Sequence, residues 1–363
     1  PWDALNPYRQ RAEAHPDGIV DLSVGSPIDP TPAVIAAALA DHSDSPGYPS
    51  TAGTASLRAA IREHYRRVRG VRPPDRDGIM PTLGSKEMVA SLPALLGLSA
   101  GDVVVHPTIA YPSYDLGARL AGATPIPADD AAALPPGTAA QVRLIWVNTP
   151  SNPTGRVASA EELRRVVTWA RERGVVVASD ECYAALAWAE PWASEGVPSI
   201  LDPRVNGGDL TGLLALYSLS KQSNAAGYRM AWIAGDPKLI GPLLEVRKHM
   251  GMILPAPQQA AMEAAVRDQA HVEAQKELYR ARRAALLAAL DQAGYVVEDS
   301  AAGLYLWVRT ADSQDAWSTV ADFAESGILV APGTFYGGSS HVRIALTGSD
   351  ADVRRAAARL AGS

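Results

Sequence analysis

Four short runs along the chain are apolar without alternation: Val103-Val104-Val105, Leu144-Ile145-Trp146-Val147, Val175-Val176-Val177-Ala178 and Leu213-Leu214-Ala215-Leu216-Tyr217. A strand with one wet face alternates polar and apolar residues, so unbroken runs predict strands buried on both faces. Between about residues 43 and 235 such runs alternate with amphipathic helical stretches. One helix, between the second and third runs, starts at Ser159 with Glu162 three residues on, a capping box, and stops at Gly174. Strand–helix–strand alternation predicts a mostly parallel sheet with right-handed crossovers. After about residue 251 the pattern changes. A long helical stretch over 257–294 precedes a strand (304–309), a helix ending at Gly327, a strand (341–346) and a terminal helix, which predicts a smaller α+β domain. Residues 1–32 are Pro-rich and have no strong period. They are expected to join the small domain, with 33–250 forming the large domain and 251–363 the small one. The Ala-, Pro- and Asp-rich residues 128–140 read as a surface loop.

The length of 363 residues fits two domains sharing one site. A net charge of −6 with interspersed signs argues against nucleic acid as the main partner. No apolar run is long enough to span a membrane, and Pro1-Trp2-Asp3 does not open a signal pattern. The single cysteine, Cys182, excludes an internal disulfide and fits a reducing compartment, so the cytoplasm is expected. No metal is expected.

Candidate chemistry concentrates where the apolar runs end. Tyr217-Ser218-Leu219-Ser220-Lys221 is followed by Gly227-Tyr228-Arg229. A lysine just beyond a buried strand lies at the sheet's carboxyl edge, where open α/β sheets bind ligands. Ser218, Ser220 and Arg229 could hold a phosphate there. Taken singly, Lys221 and Arg229 read as solvated charges. Ser218-Leu219-Ser220-Lys221 also matches the Ser-x-x-Lys of penicillin-binding enzymes, but their Ser-Asp-Asn and Lys-Thr-Gly partners are absent and Ser218 follows a strand. Asp180 and Tyr183 follow the third run; alone they read equally well as a helix cap and a core residue. Asn148-Thr149-Pro150-Ser151-Asn152-Pro153-Thr154-Gly155 follows the second, and alone it is a turn. Gly84-Ser85-Lys86 opens an apolar helix at 87–96, a backbone setting that suits phosphate.

In this order and together, these motifs resemble the fold-type-I aminotransferases of the aspartate aminotransferase superfamily. The likeness runs from Val24-Gly25-Ser26-Pro27 to Val342-Arg343-Ile344. It implies pyridoxal 5′-phosphate (PLP) as cofactor and a large domain with a mostly parallel seven-stranded sheet. By the same resemblance Lys221 would form the Schiff base and shuttle a proton, and Asp180 would pair with the pyridine nitrogen. Asn152 and Tyr183 would bond the phenolic oxygen, while Tyr111 would stack on the ring. Gly84, Ser85, Lys86 (through backbone), Ser218, Ser220 and Arg229 would surround the phosphate. Tyr48 would reach the cofactor of a neighbouring subunit, which implies a homodimer with shared sites. Arg343 would take the substrate α-carboxylate, a task suited to its planar fork, with Gly25 lining the same pocket. Without the other motifs Arg343 reads as an edge-strand arginine.

Ser218-Leu219-Ser220-Lys221 through Asp236 and the segment His249 to Gln258 are similar to the N-succinyldiaminopimelate aminotransferases of high-GC Gram-positive bacteria. That likeness implies glutamate as amino donor and an N-acylated 2-oxo acid as acceptor. Its distal carboxylates would need cationic or N–H donors, for which Lys86, Lys248 or His249 are candidates, although each taken singly reads as a surface charge. Gln222 departs from the subfamily, where arginine is expected, and Ala231 stands where many relatives carry glycine. A broad-range amino acid aminotransferase, with the substrate's tail left in solvent, or a C–S β-lyase would use the same residues. A PLP-sensing regulator would need a basic DNA-binding domain, for which the chain has no room.

Overall fold

The computed structural model describes residues 2–362. The chain opens with a 3₁₀ turn at Trp2–Leu5 and a helix at Asn6–Glu13, then strand β1 (Val20–Asp21). Seven strands follow: β2 (Ile79–Leu83), β3 (Val103–His106), β4 (Thr124–Pro127), β5 (Val142–Asn148), β6 (Val176–Asp180), β7 (Leu213–Ser218) and β8 (Met230–Gly235). They form one sheet in the order β2-β8-β7-β6-β5-β3-β4, in which only β8 runs against the rest. The apolar runs are its middle. Along each, alternate residues supply opposite layers. Val103, Val105, Ile145, Val177, Ala215 and Tyr217 face one core. Val104, Leu144, Trp146, Ala178, Leu214 and Leu216 face the other, against the helix Ser85–Leu95. Burial on both sides is why these runs show no polar alternation.

The helix after β5 spans Ala160–Arg171, and both halves of the Ser159–Glu162 capping box are formed. Gly174, with φ 64°, turns the chain back into β6. The expected single helical stretch of 257–294 is two helices, Ala256–Arg267 and Ala270–Gln292. Asp268 leaves helical geometry at the break (φ −101°, ψ 114°) and its carboxylate accepts from Ala270 N and His271 N, a local bond that competes with the helix. Residues 128–140 are not a plain loop, since they hold a 3₁₀ turn (Ala131–Ala133) and a short helix (Pro136–Ala139).

Strands β9 (Val296–Glu298), β10 (Tyr305–Arg309), β11 (Ile328–Leu329), β12 (Ala331–Pro332) and β13 (Val342–Ala345) complete the chain, with the helices Ala316–Glu325 and Asp350–Ala361. β12-β13-β10-β9 is an antiparallel sheet, and β1 pairs in parallel with β11. Leu5, Val20 and Leu22 are buried with Leu306, Phe323, Leu329 and Ile344 in one apolar cluster. The N-terminal residues thus pack on elements some three hundred positions away. Arg343 lies on β13 between β12 and β10, so it is an interior-strand residue, not an edge-strand one.

Candidate active site

Three parallel strands end side by side: Asn148 closes β5, Asp180 closes β6 and Ser218 closes β7. Beyond them lies a cavity of about 240 Å³. Gly25, Ser85, Lys86, Tyr111, Asn152, Asp180, Tyr183, Ser218, Ser220, Lys221, Arg229 and Arg343 all line it. Motifs separated by more than three hundred residues therefore meet in one place.

Lys221 Nζ donates to Gly25 O at 2.5 Å, which holds the amine in the cavity. Asp180 is fixed from two sides. Its Oδ2 accepts from Tyr114 OH (2.9 Å) and its Oδ1 from Cys182 N (3.2 Å). Burial raises its carboxyl above the ordinary value, against the bonds from Cys182 and Tyr114 that lower it. A cationic partner in the cavity would gain most from such a carboxylate. The loop after β5 is pinned by Asn148, whose Nδ2 donates to Pro150 O and Asp180 O while its Oδ1 accepts from Asn152 N (2.8 Å).

At the other end of the cavity the helix Ser85–Leu95 begins without any side-chain cap. Its first N–H groups and the hydroxyls of Ser218 and Ser220 (2.8 Å apart) form a polar cradle. Arg229 closes this cradle in a left-handed conformation (φ 58°, ψ 40°), its Nη1 on Ala226 O at 3.0 Å. Gly84 does not line the cavity; its φ of 80° is a backbone conformation that favours glycine, and a Cβ there would displace the Arg229 guanidinium. An amine, a carboxylate, a hydroxyl-rich anion cradle and an aromatic wall are the donor set that PLP needs, so the residues fit the cofactor. Lys221 would hold it, Asp180 would face its ring nitrogen, and the cradle with Arg229 would take its phosphate.

Arg343 is 2% exposed and lies between two aromatic faces, 4.0 Å above the Tyr305 ring centroid and 4.6 Å from that of Tyr336. Its Nη1 donates to Asn152 Oδ1 (3.0 Å) and its Nη2 to Ser23 O (2.9 Å), while Nε has no partner. Among the described residues no Asp or Glu pairs with it. A buried cation without an anion is costly unless a ligand supplies one.

The structure does not bring every expected residue here. Tyr48 is fully exposed and lines no part of its own chain's cavity. Lys248 sits on the surface at 3.8 Å from Glu245, and neither it nor His249 reaches the cavity. Gln222 is buried and accepts from Tyr217 OH at 2.7 Å, away from the cavity. Ala231 is a buried residue of β8, paired with Thr82 and Ser218. Lys86 does reach the cavity by its side chain as well, with Nζ 3.0 Å from Tyr111 OH. Residues missed from sequence are Tyr114, Tyr305, Cys182, Trp2 and Val24, all cavity-lining. Tyr114 had a usable signal, since it follows Tyr111 by three positions at the start of the helix Ser113–Leu120. Tyr305 had none, because a tyrosine in an apolar strand reads as core.

Comparison with known proteins agrees with this geometry. A family model described as aminotransferase class I and II matches residues 17–360. A probable aminotransferase of Mycobacterium tuberculosis (strain H37Rv) is 52% identical, over 99% of this chain and 84% of that protein. The 4-dedimethylamino-4-oxo-anhydrotetracycline transaminase OxyQ of Streptomyces rimosus is 50% identical, over 99% of this chain and 98% of that protein. Among solved structures, a probable N-succinyldiaminopimelate aminotransferase from Thermus thermophilus superposes with a TM-score of 0.86 at 26% identity, covering 99% of each chain.

Proposed function

The chain belongs to the class I and II aminotransferase family, a PLP-dependent family of the fold-type-I architecture, and from that premise we propose that it moves an amino group from glutamate to a 2-oxo acid in a two-stage exchange. When bound, PLP supplies the electron sink for the carbanion at the substrate Cα. In this reading Lys221 anchors the cofactor and, once displaced by substrate, moves the proton at Cα. Asp180 holds the positive charge on the ring nitrogen, positioned by Tyr114 and the Cys182 N–H. Tyr183 and Asn152 bond the phenolic oxygen, Tyr111 covers the ring, and Arg343 orients the substrate by its α-carboxylate with Gly25 as the adjacent wall. Tyr48 would serve the neighbouring subunit of a homodimer, in keeping with its full exposure and its absence from the lining of its own chain's cavity. The observation that carries the reading is Arg343, a buried cation with no acidic partner among the described residues that shares a cavity with the Lys221 amine.

Two measurements test it. Borohydride reduction of the holoenzyme should fix the cofactor to the peptide containing Lys221, and labelling at another lysine ends the assignment. Glutamate alone should convert the cofactor spectrum stoichiometrically, with release of 2-oxoglutarate. Release of pyruvate and ammonia from cystathionine would point to the β-lyase instead.

For the acceptor we infer a 2-oxo acid with a long anionic N-acyl tail, N-succinyl-2-amino-6-oxopimelate in diaminopimelate and lysine synthesis. Supporting this are the local similarity of residues 218–236, the Thermus relative and the Lys86 ammonium, a cavity-lining cation with no acidic partner among the described residues. The identity to OxyQ favours a second reading, in which a cyclic ketone is aminated. kcat/KM for succinylated, acetylated and free diaminopimelate separates these. A site that reads the tail favours the succinylated form at least about tenfold, roughly 1.4 kcal/mol of transition-state binding. Equal values leave a broad-range aminotransferase, and turnover confined to a cyclic ketone supports the second reading.

A further inference from the structure

Tyr305 lies on β10, where Leu306, Trp307 and Val308 are buried apolar residues, yet its surroundings are not those of a core tyrosine. It is 5% exposed, and among the described residues its hydroxyl has one hydrogen-bond partner, Tyr183 OH at 3.4 Å. Its ring carries the Arg343 guanidinium on one face, 4.0 Å from the centroid. Space has been made for it: a Cβ on Gly25 would overlap the Tyr305 hydroxyl and come within 2.6 Å of ring carbon Cε1. Gly25 has no positive φ, so room for Tyr305, not backbone conformation, is what excludes a side chain there. The same Gly25 carbonyl accepts from Lys221 Nζ. A phenylalanine would serve Arg343 equally well, so the hydroxyl needs a separate explanation.

We propose that Tyr305 is a positioning residue that links the carboxylate-binding arginine to the cofactor-binding tyrosine: its ring seats Arg343, and its hydroxyl donates to Tyr183 so that the Tyr183 proton is directed at the cofactor's phenolic oxygen. This rests on the assignment of Lys221 and Tyr183 to PLP.

A phenol has one proton to donate and lone pairs to accept with. If Tyr183 spends its proton on Tyr305, it has none for the cofactor. If Tyr305 donates, both hydroxyls are used and the Tyr183 bond is strengthened by polarisation along the chain. The surroundings favour the second arrangement. The charges and phenols that act on the Tyr305 hydroxyl are the Arg343 and Lys221 cations, the bonded Tyr183 phenol and, through space, the neutral phenols of Tyr336 and Tyr279. Burial raises the Tyr305 hydroxyl, but Arg343, Lys221 and the Tyr183 bond together bring it below its ordinary value. Burial and the adjacent Tyr305 raise Tyr183. The Arg343 guanidinium stands 4.0 Å from the Tyr305 ring centroid, and among the described residues no cation stands over the Tyr183 ring, so electron density is drawn from the Tyr305 phenol and it is the better donor.

A stronger bond to the phenolic oxygen stabilises its negative charge in place of the proton on the neighbouring lysine nitrogen. Losing it must raise the pH at which the lysine-bound cofactor changes colour. Tyr305→Phe is expected to move the midpoint of the absorption titration upward by about 0.3 pH unit or more, with KM for the 2-oxo acid changed less than about threefold. Tyr183→Phe should move it further, and adding Tyr305→Phe to that variant should move it no more, since the relay is already cut. Tyr305→Leu, which removes the ring, should raise KM about ten- to thirtyfold through the loss of the Arg343 contact. An unchanged midpoint in Tyr305→Phe, or equal shifts in both backgrounds, overturns the relay. An unchanged KM in Tyr305→Leu overturns the seating of Arg343. Borohydride labelling at a lysine other than Lys221 overturns the cofactor assignment and this proposal with it. Labelling at Lys221 with an unmoved midpoint sinks the relay alone.

Discussion

Replacing Arg343 by Gln tests the core of the functional reading. The guanidinium offers five N–H donors. Two are spent, on Asn152 Oδ1 and Ser23 O, and Nε has no partner. The guanidinium lies against the Tyr305 and Tyr336 rings, and its remaining donors lie in its own plane, where a carboxylate can take a pair of parallel bonds. Each charge-assisted bond contributes about 1.5–3 kcal/mol, so two are worth about 3–6 kcal/mol. That corresponds to a fall in kcat/KM of roughly 10² to 10⁴ for any substrate bearing the α-carboxylate. Arg343→Lys should recover little, because an ammonium is a point charge without the fork. An amine donor of similar size without a carboxylate supplies the control, and its turnover should change by less than about threefold. A loss below about tenfold, or equal losses with and without the carboxylate, would refute the assignment. The folded protein should not suffer: Gln removes a buried charge that no acidic residue neutralises, so the apoenzyme's Tm is expected to hold or rise.

Asp180→Ala should lower kcat by at least about a hundredfold with the fold intact, and Asp180→Glu should retain more activity; normal turnover of the alanine variant would make Asp180 only a structural cap. Mixed dimers of Tyr48→Phe and Lys221→Ala chains should regain part of the activity, because one hybrid site carries both lesions and the other neither; no regain would place Tyr48 with its own chain's cofactor or with none. His64 is buried among Tyr65, Tyr217 and Trp232 with neither ring nitrogen bonded, and burial, then Arg69, lowers its pKa to about 3. Its folded value lies below the unfolded one, so its stability contribution is complete above pH 6.5 and lost as pH falls towards 3, by about 2 kcal/mol at pH 5. His64→Phe should remove that share of the fall in urea midpoint between pH 7.5 and 5, and an unchanged fall would refute it.

The middle of the large sheet was legible because its strands are buried on both faces, and a strand that is apolar throughout announces where its carboxyl end lies. The carboxyl-edge positions of Lys221, Asp180 and Asn152 could be read from that, and their candidate roles only from the motifs taken together. The outer strands were not legible. β2 is Ile-Met-Pro-Thr-Leu and β4 is Thr-Pro-Ile-Pro, and both are edge strands, where proline's missing N–H costs no ladder bond. β8 begins at Met230, directly after the left-handed Arg229, so a motif that drew attention for its chemistry concealed the strand behind it. The N-terminal residues show no period because their elements are short. β1 has two residues, and what it pairs with is Ile328–Leu329.

The site's remaining features come from contacts that no local pattern encodes. Arg343 depends on Ser23, Asn152, Tyr305 and Tyr336, which come from four separate segments. None of the four is exceptional in its own segment: a serine after a short strand, an asparagine in a turn, a tyrosine in a core strand and another in a 3₁₀ turn. What distinguishes them is that each leaves the guanidinium partly satisfied and none neutralises it. Had one of the four been an acid, the arginine would be a buried structural pair, and a substrate carboxylate would have to displace it. The lack of an acidic partner for Arg343 among the described residues is thus the feature on which the proposed carboxylate site rests. A sequence cannot display it, because it is a property of which side chains meet, and these meet only when the antiparallel sheet closes over the carboxyl ends of β5, β6 and β7.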